Sequence, residues 1–191
     1  MMRDARMDHG QDEATLQTVR SADLSPGELE LLRGFLDEAF EGPFGDDDWS
    51  HTVGGLHVFV REGHLVLAHA AVVGRTFWAD GRRMDTGYVE GVATRPDRRG
   101  EGHATSAMQE AGRQIRQRYQ LGALSDGTGI PGFYERLGWE HWRGPTFVAS
   151  PVGPRRTADE DEGVMVLRTP STDDLELASA LTCDWRSGDV W

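Results

Sequence analysis

Residues 88–104 read YVEGVATRPDRRGEGHA, and the order of residue types in this stretch decides the fold. Val89, Val92 and Ala93 mark a buried strand. Arg95-Pro96-Asp97 then leaves that strand, since proline cannot donate to a sheet ladder. Arg98-Arg99-Gly100-Glu101-Gly102-His103-Ala104 turns into a helix. The two glycines let backbone N–H groups approach an anion closely. The helix start adds unpaired N–H groups and the positive end of its dipole. Arg98 and Arg99 can add charge-assisted contacts. Together these residues suit a pyrophosphate. The plainer reading is an ordinary strand-turn-helix. A dinucleotide-binding fingerprint is excluded: its third glycine would stand where Thr105 is, and the unit follows an antiparallel meander.

Working outward, residues 102–118 continue as a helix with an apolar stripe at Ala104, Ala107, Met108, Ala111 and Ile115. A short buried strand follows at 121–124, then a short helix at 132–137 ended by Gly138, then strands at 139–142, 146–149 and 164–167. Upstream, residues 83–93 pair back through an Asp80-Gly81 hairpin onto strands at 65–73 and 56–61. Residues 41–48, EGPFGDDD, form an acidic loop, with a turn of helix at 49–52. Ser25-Pro26-Gly27-Glu28 is a capping box, and Leu29, Leu32, Phe35, Leu36, Ala39 and Phe40 recur at helical spacing. Residues 15–19 make a first strand. The plan is α+β, or mixed α/β, around one sheet. Residues 14–191 are expected to be one domain, and residues 1–13 a disordered tail.

Composition narrows the chemistry. The 191 residues carry a net charge of −12, which disfavours nucleic acid and anionic membranes and favours cationic ligands. All 20 basic residues are arginine, so a lysine Schiff base and a Walker-type phosphate loop are excluded. Cys183 is the single cysteine, which excludes an internal disulfide and fits a cytoplasmic setting. No apolar run nears the roughly 20 residues of a membrane helix. The seven histidines follow no metal-ligand spacing, and no metal is expected.

Arg99-Gly100-Glu101-Gly102-His103-Ala104 resembles the acyl-CoA pyrophosphate motif of the GNAT acetyltransferase superfamily. Closer likeness runs through TVGGLH (52–57), AHAAV (68–72), GYVEGVA (87–93), YQLGALS (119–125), Tyr134 with LGW (137–139), GPT (144–146) and CDWRSGDVW (183–191). In these stretches the chain resembles the aminoglycoside 2′-N-acetyltransferases, collinearly from about Leu16 to Trp191.

That resemblance implies a GNAT fold, a central twisted sheet splayed at an acetyl-CoA site and flanked by helices. Val92, Ala93 and Thr94 would run beside pantetheine, and residues Arg98, Arg99, Gly100, Glu101, Gly102, His103 and Ala104 would hold pyrophosphate. The N–H near Val92 would polarise the thioester carbonyl. Glu90 would accept the amine proton, and Tyr134 would protonate the leaving thiolate. The transfer would be direct, so Cys183 is not needed as a nucleophile. Asp48, Glu90, Gly91, Ser125, Asp189 and Trp191 would surround a cationic aminoglycoside or amino sugar, together with either Glu160 or Asp161. Pro43 stands where relatives carry an acid, and residues 126–133 are glycine-rich rather than basic. Kasugamycin or a metabolite amine are therefore alternative acceptors. The resemblance also implies a homodimer and a role in antibiotic resistance.

Overall fold

The computed structural model describes residues 13–42, 44–127 and 129–191. Most of the expected N-terminal tail, and Pro43, lie outside them. In chain order the elements are β1 (Thr15–Arg20), α1 (Pro26–Ala39), α2 (Asp46–Thr52), β2 (Leu56–Glu62), β3 (Leu65–Ala79), β4 (Arg82–Thr94), α3 (His103–Arg118), β5 (Leu121–Ser125), β6 (Glu140–His141), β7 (Thr146–Ser150), β8 (Gly153–Arg156), β9 (Val164–Arg168) and β10 (Leu181–Asp184).

The first helix forms as its sequence dictates. Ser25 Oγ accepts from the Glu28 N–H at 3.3 Å, and the Glu28 carboxylate accepts from the Ser25 N–H at 2.9 Å. Such a cap is worth about 1 kcal/mol. Pro26 stands in the first turn, where its missing N–H costs nothing. Leu32, Phe35, Leu36 and Ala39 are buried. Phe40, grouped with that stripe by spacing, is instead the half-exposed C-cap.

The described strands form one mixed sheet. β1 to β4 are consecutive antiparallel neighbours. β3 is longer than its apolar run suggests, because its far half pairs with β10 across Phe77–Ala79. β10 also pairs in parallel with β7, which pairs with β8. β10 and β8 are absent from the sequence reading. Each is only four residues long, and their pairing is set by distant partners. β5 lies parallel to β4 and antiparallel to β9.

Strand alternation sorts the two faces. Ala107, Met108, Ala111 and Ile115 of α3 pack over Leu67, Val89 and Leu124 on one face. On the other face lie α1 with Phe59 and Ala93, and the Phe77, Tyr88 and Trp191 cluster. Burying each such large side chain contributes roughly 1.5–3 kcal/mol. Among the described residues no helix is long and apolar enough to cross a membrane.

Candidate active site

Two irregularities of β4 build the site. The first is a bulge. Ala71 pairs with Glu90 and His69 with Ala93, so two residues of β4, Gly91 and Val92, stand opposite Ala70. Gly91 has φ 56°, and a Cβ there would lie 3.2 Å from Thr52 Cγ2. Glycine satisfies both restraints. The second is a splay. The described β4–β5 pairing covers Thr86–Tyr88 against Leu121–Ala123 and stops there. Val92, Ala93 and Thr94 thus run along an opening between the strands.

A buried hydrogen-bond chain holds the bulge. His69 Nδ1 lies 2.8 Å from the Gly91 carbonyl oxygen, His69 Nε2 lies 2.9 Å from His57 Nδ1, and His57 Nε2 lies 2.7 Å from Ser21 Oγ. A carbonyl only accepts, so His69 carries its proton on Nδ1. Burial lowers His69 to about 3 and His57 to about 4, so both rings are neutral at pH 7. The network then assigns the remaining directions: His57 Nδ1–H donates to His69, and Ser21 O–H donates to His57. These two histidines, on β2 and β3, brace the bulged strand β4.

At the opening lies a cleft of about 420 Å³, lined in part by Phe40, Phe44, Asp48, Glu90, Gly91, Val92, Ser125, Tyr134, Asp189 and Trp191. It therefore joins the two expected catalytic residues with most of the expected substrate residues. Glu90 sits on the α2 side of the sheet and is ion-paired with Arg186. Burial pushes its carboxyl above the usual range, while Arg186 pulls it back. Arg186 also donates from Nε to the Asp189 main-chain oxygen at 2.7 Å and from Nη2 to that of Trp191 at 2.8 Å.

Tyr134 enters from the α3 side, against Phe133 and Trp139. Its segment is a turn followed by a short 3-10 helix at Glu135–Leu137, less regular than the helix expected at 132–137. The glycines there favour turns over a longer helix. Burial raises the Tyr134 hydroxyl well above its ordinary range, so it keeps its proton.

The acidic turn divides its two candidates. Ser125 Oγ donates to Glu160 at 3.2 Å, and Glu160 is raised by burial and by Asp189. Glu160 therefore belongs to the rim of the cleft. Asp161 does not: its carboxylate accepts from Thr146 N and Oγ1, both at 2.9 Å, and pairs with Arg156. These contacts hold it low, as a brace between β7 and β8. Of the two acids offered as alternatives, Glu160 is the one beside the cleft residue Ser125, while the Asp161 carboxylate is engaged by Thr146 and Arg156.

In the segment expected to hold pyrophosphate, the basic side chains have partners within the protein. Arg98 is engaged by Glu62 at 3.0 Å and Glu101 at 2.9 Å, and Arg99 donates to the Ala39 carbonyl at 3.0 Å. Glu101 further pairs with His103 at 3.1 Å. The side chains thus brace the turn. What it presents is backbone: Gly100 and Gly102 have φ 86° and 84°, and α3 starts with no side-chain cap and no acid in its first turn. The first N–H groups of such a helix have no intrahelical partner and suit an anion.

Sequence reasoning missed Arg186, Phe40 and Phe44 as cleft residues. Arg186 lies within the quoted terminal signature, but its partner is 96 positions away, beyond any local spacing rule. Cys183 is buried and its thiol is pushed up by burial to about 11, unsuited to nucleophilic attack. Among the described residues no three His, Cys, Asp or Glu side chains cluster as metal ligands.

A bulged, splayed central strand followed by an uncapped helix start is an acyl-CoA-binding arrangement. The acetyltransferase (GNAT) domain profile matches residues 22–142. The chain belongs to the GNAT acetyltransferase family. The YhbS N-acetyltransferase of Escherichia coli, solved in complex with CoA, superposes with TM-score 0.61 at 16% identity, over 88% of each chain. A GCN5-related N-acetyltransferase of Kribbella flavida gives TM-score 0.56 at 24% identity over 69% of this chain, which spans only 34% of that protein. In sequence the chain is 44% identical over 179 residues to an aminoglycoside 2′-N-acetyltransferase of Mycolicibacterium fortuitum, covering 93% of this chain and 92% of that one.

Proposed function

We propose that the protein transfers an acetyl group from acetyl-CoA directly to the 2′-amino group of an aminoglycoside, and so confers resistance in the cytoplasm. The observation that carries this reading is the set of acids around one cleft. Glu90, Asp48 and Asp189 line it, and Glu160 reaches its rim through Ser125. Such a site attracts a ligand bearing several ammonium groups. The full-length likeness to the Mycolicibacterium fortuitum 2′-N-acetyltransferase supports the position acetylated.

The residues present fit acetyl-CoA. Val92, Ala93 and Thr94 lie beyond the described β4–β5 pairing, on the open side of the splay, and suit the pantetheine arm. The turn from Arg98 to Ala104 offers main-chain N–H groups to the pyrophosphate, with its arginines bracing the turn. When bound, acetyl-CoA supplies an activated acyl group as a thioester.

The protein's own groups do the rest. An ammonium ion has no lone pair, so the amine must lose a proton before it attacks. Glu90 accepts that proton, directly or through one water. The Val92 N–H stabilises charge developing on the carbonyl oxygen. Tyr134, still protonated because it is buried, donates to the departing sulfur. The family resemblance supports a homodimer as the working assembly.

Thiol release from acetyl-CoA, measured across 2′-amino and 2′-hydroxy aminoglycosides, kasugamycin and simple amino sugars, tests this reading. Turnover is expected with 2′-amino compounds, with mass spectrometry placing the acetyl group on the 2′ nitrogen. Turnover of amino sugars but of no 2′-amino antibiotic would sink it.

A further inference from the structure

Arg186 is the residue of the cleft to which no role has been given. Its side chain is 15% exposed and its three nitrogens are all used. Nη1 pairs with Glu90, while Nε and Nη2 donate to the main-chain oxygens of Asp189 and Trp191 at 2.7 and 2.8 Å. Its Cζ also stands 5.3 Å from the centre of the Tyr88 ring, two residues before Glu90 on the same face of β4. A planar fork can bridge three acceptors in this way, and a lysine ammonium on a flexible stem cannot reproduce the geometry.

We propose that Arg186 is the positioning residue of the amine site: anchored on the Asp189 and Trp191 main-chain oxygens, it holds the Glu90 carboxylate in place at the mouth of the β4 splay. The arrangement joins the terminal segment to the catalytic strand. The same guanidinium that fixes Glu90 also fixes the backbone of Asp189, whose carboxylate oxygen accepts from the Trp191 N–H at 3.1 Å. One cation therefore sets the spacing between two anions that an amino sugar meets.

The charged surroundings agree. Around Glu90 stand Arg186 and Asp189 from the terminal segment, Arg75 from β3, Asp48 from α2 and Tyr88 from its own strand. His51 of α2 faces Arg186 and bonds the Ser187 carbonyl at 2.9 Å. Burial and Asp48 favour the protonated carboxyl, whereas Arg186 and, more weakly, Arg75 favour the anion. Arg75 is itself committed to Asp184 at 2.8 Å. Removing Arg186 leaves burial nearly unopposed, and a neutral Glu90 cannot take a proton from the amine.

This inference rests on Glu90 as the base, so the experiment separates the two. The pH dependence of kcat/KM is measured for the wild type and for Arg186→Met, Arg186→Gln, Arg186→Lys and Glu90→Gln. The Glu90 carboxyl is titrated in parallel by carbon-13 NMR on the full chain without acceptor. In the Met and Gln variants the acid limb and the NMR titration are expected to move together toward neutrality, by roughly one pH unit or more. Arg186→Lys, which keeps the charge but not the fork, is expected to show a smaller shift. Thermal melting identifies any variant that fails to fold, and the Gln variant, which keeps a polar side chain, guards against loss of the Met variant. A limb and titration that coincide with the wild type, while Glu90→Gln is inactive, overturn the role of Arg186 alone. Full turnover in Glu90→Gln overturns the base itself and this inference with it.

Discussion

His69 donates its Nδ1 proton to the Gly91 carbonyl oxygen at 2.8 Å, so a fully buried ring on β3 fixes the bulge beside Glu90 on β4. His69→Leu would leave the His57 Nδ1–H unpaired in the interior. The expected loss of stability is roughly 1–3 kcal/mol by chemical denaturation. Because the bulge is then free to shift, kcat should fall more than that loss explains once folded protein is assayed. An unchanged kcat would show that the bulge stands without its clamp.

The same pair makes stability depend on pH with a definite sign. Their folded-state values, about 3 and about 4, lie below the ordinary 6.5. The unfolded chain therefore binds more protons as the pH falls through 6.5, and stability declines from there toward about 4 for His57 and about 3 for His69. Denaturant midpoints across this window should fall with acid. A double substitution of His57 and His69 by apolar residues should flatten that slope even if it lowers the midpoint everywhere.

Glu90→Gln and Tyr134→Phe should each reduce kcat by about 10²–10⁴ in the thiol-release assay. Binding of acetyl-CoA, followed by calorimetry, should change little in either. If both variants turn over at the wild-type rate, neither group moves a proton in the reaction.

Asp189→Asn removes a charge from the cleft, whereas Asp161→Asn loosens a brace. The first should raise KM for the amine by a factor corresponding to about 1.5–3 kcal/mol, with KM for acetyl-CoA unaffected. The second should lower the melting temperature through Arg156 and Thr146 and leave amine KM near the wild-type value. The opposite pattern would return Asp161 to the substrate.

Gly102→Ala tests the phosphate turn without touching charge. The glycine stands at φ 84°, where an L side chain costs roughly 1–2 kcal/mol. Relaxation of that turn re-aims the first N–H groups of α3. KM for acetyl-CoA should rise while the amine KM stays constant. Equal effects on both would place the damage in the fold rather than in the turn.

Local rules carried much of this protein. The capping box at Ser25, the Asp80-Gly81 hairpin, the stripe along α3 and the glycine turn before it are short-range devices, each readable from neighbours a few residues apart. Their order sufficed for the fold class, and the motif with its collinear signatures sufficed for the acetyltransferase family and pointed to Glu90 and Tyr134, which folding brings to one cleft. Tertiary structure decided what depends on distant partners. The four-residue strand β10 exists because β3 and β7 flank it. Glu160 and Asp161 are adjacent acids, and only the positions of Ser125 and Arg156 send one to the cleft and the other to a brace. Arg98 and Arg99 looked free to bind phosphate until folding brought Glu62 and the Ala39 carbonyl beside them. Arg186 met Glu90, and His69 met His57 and Gly91, in the same way. Hydrogen bonds and ion pairs act over a few ångströms, and sequence distance does not measure that separation.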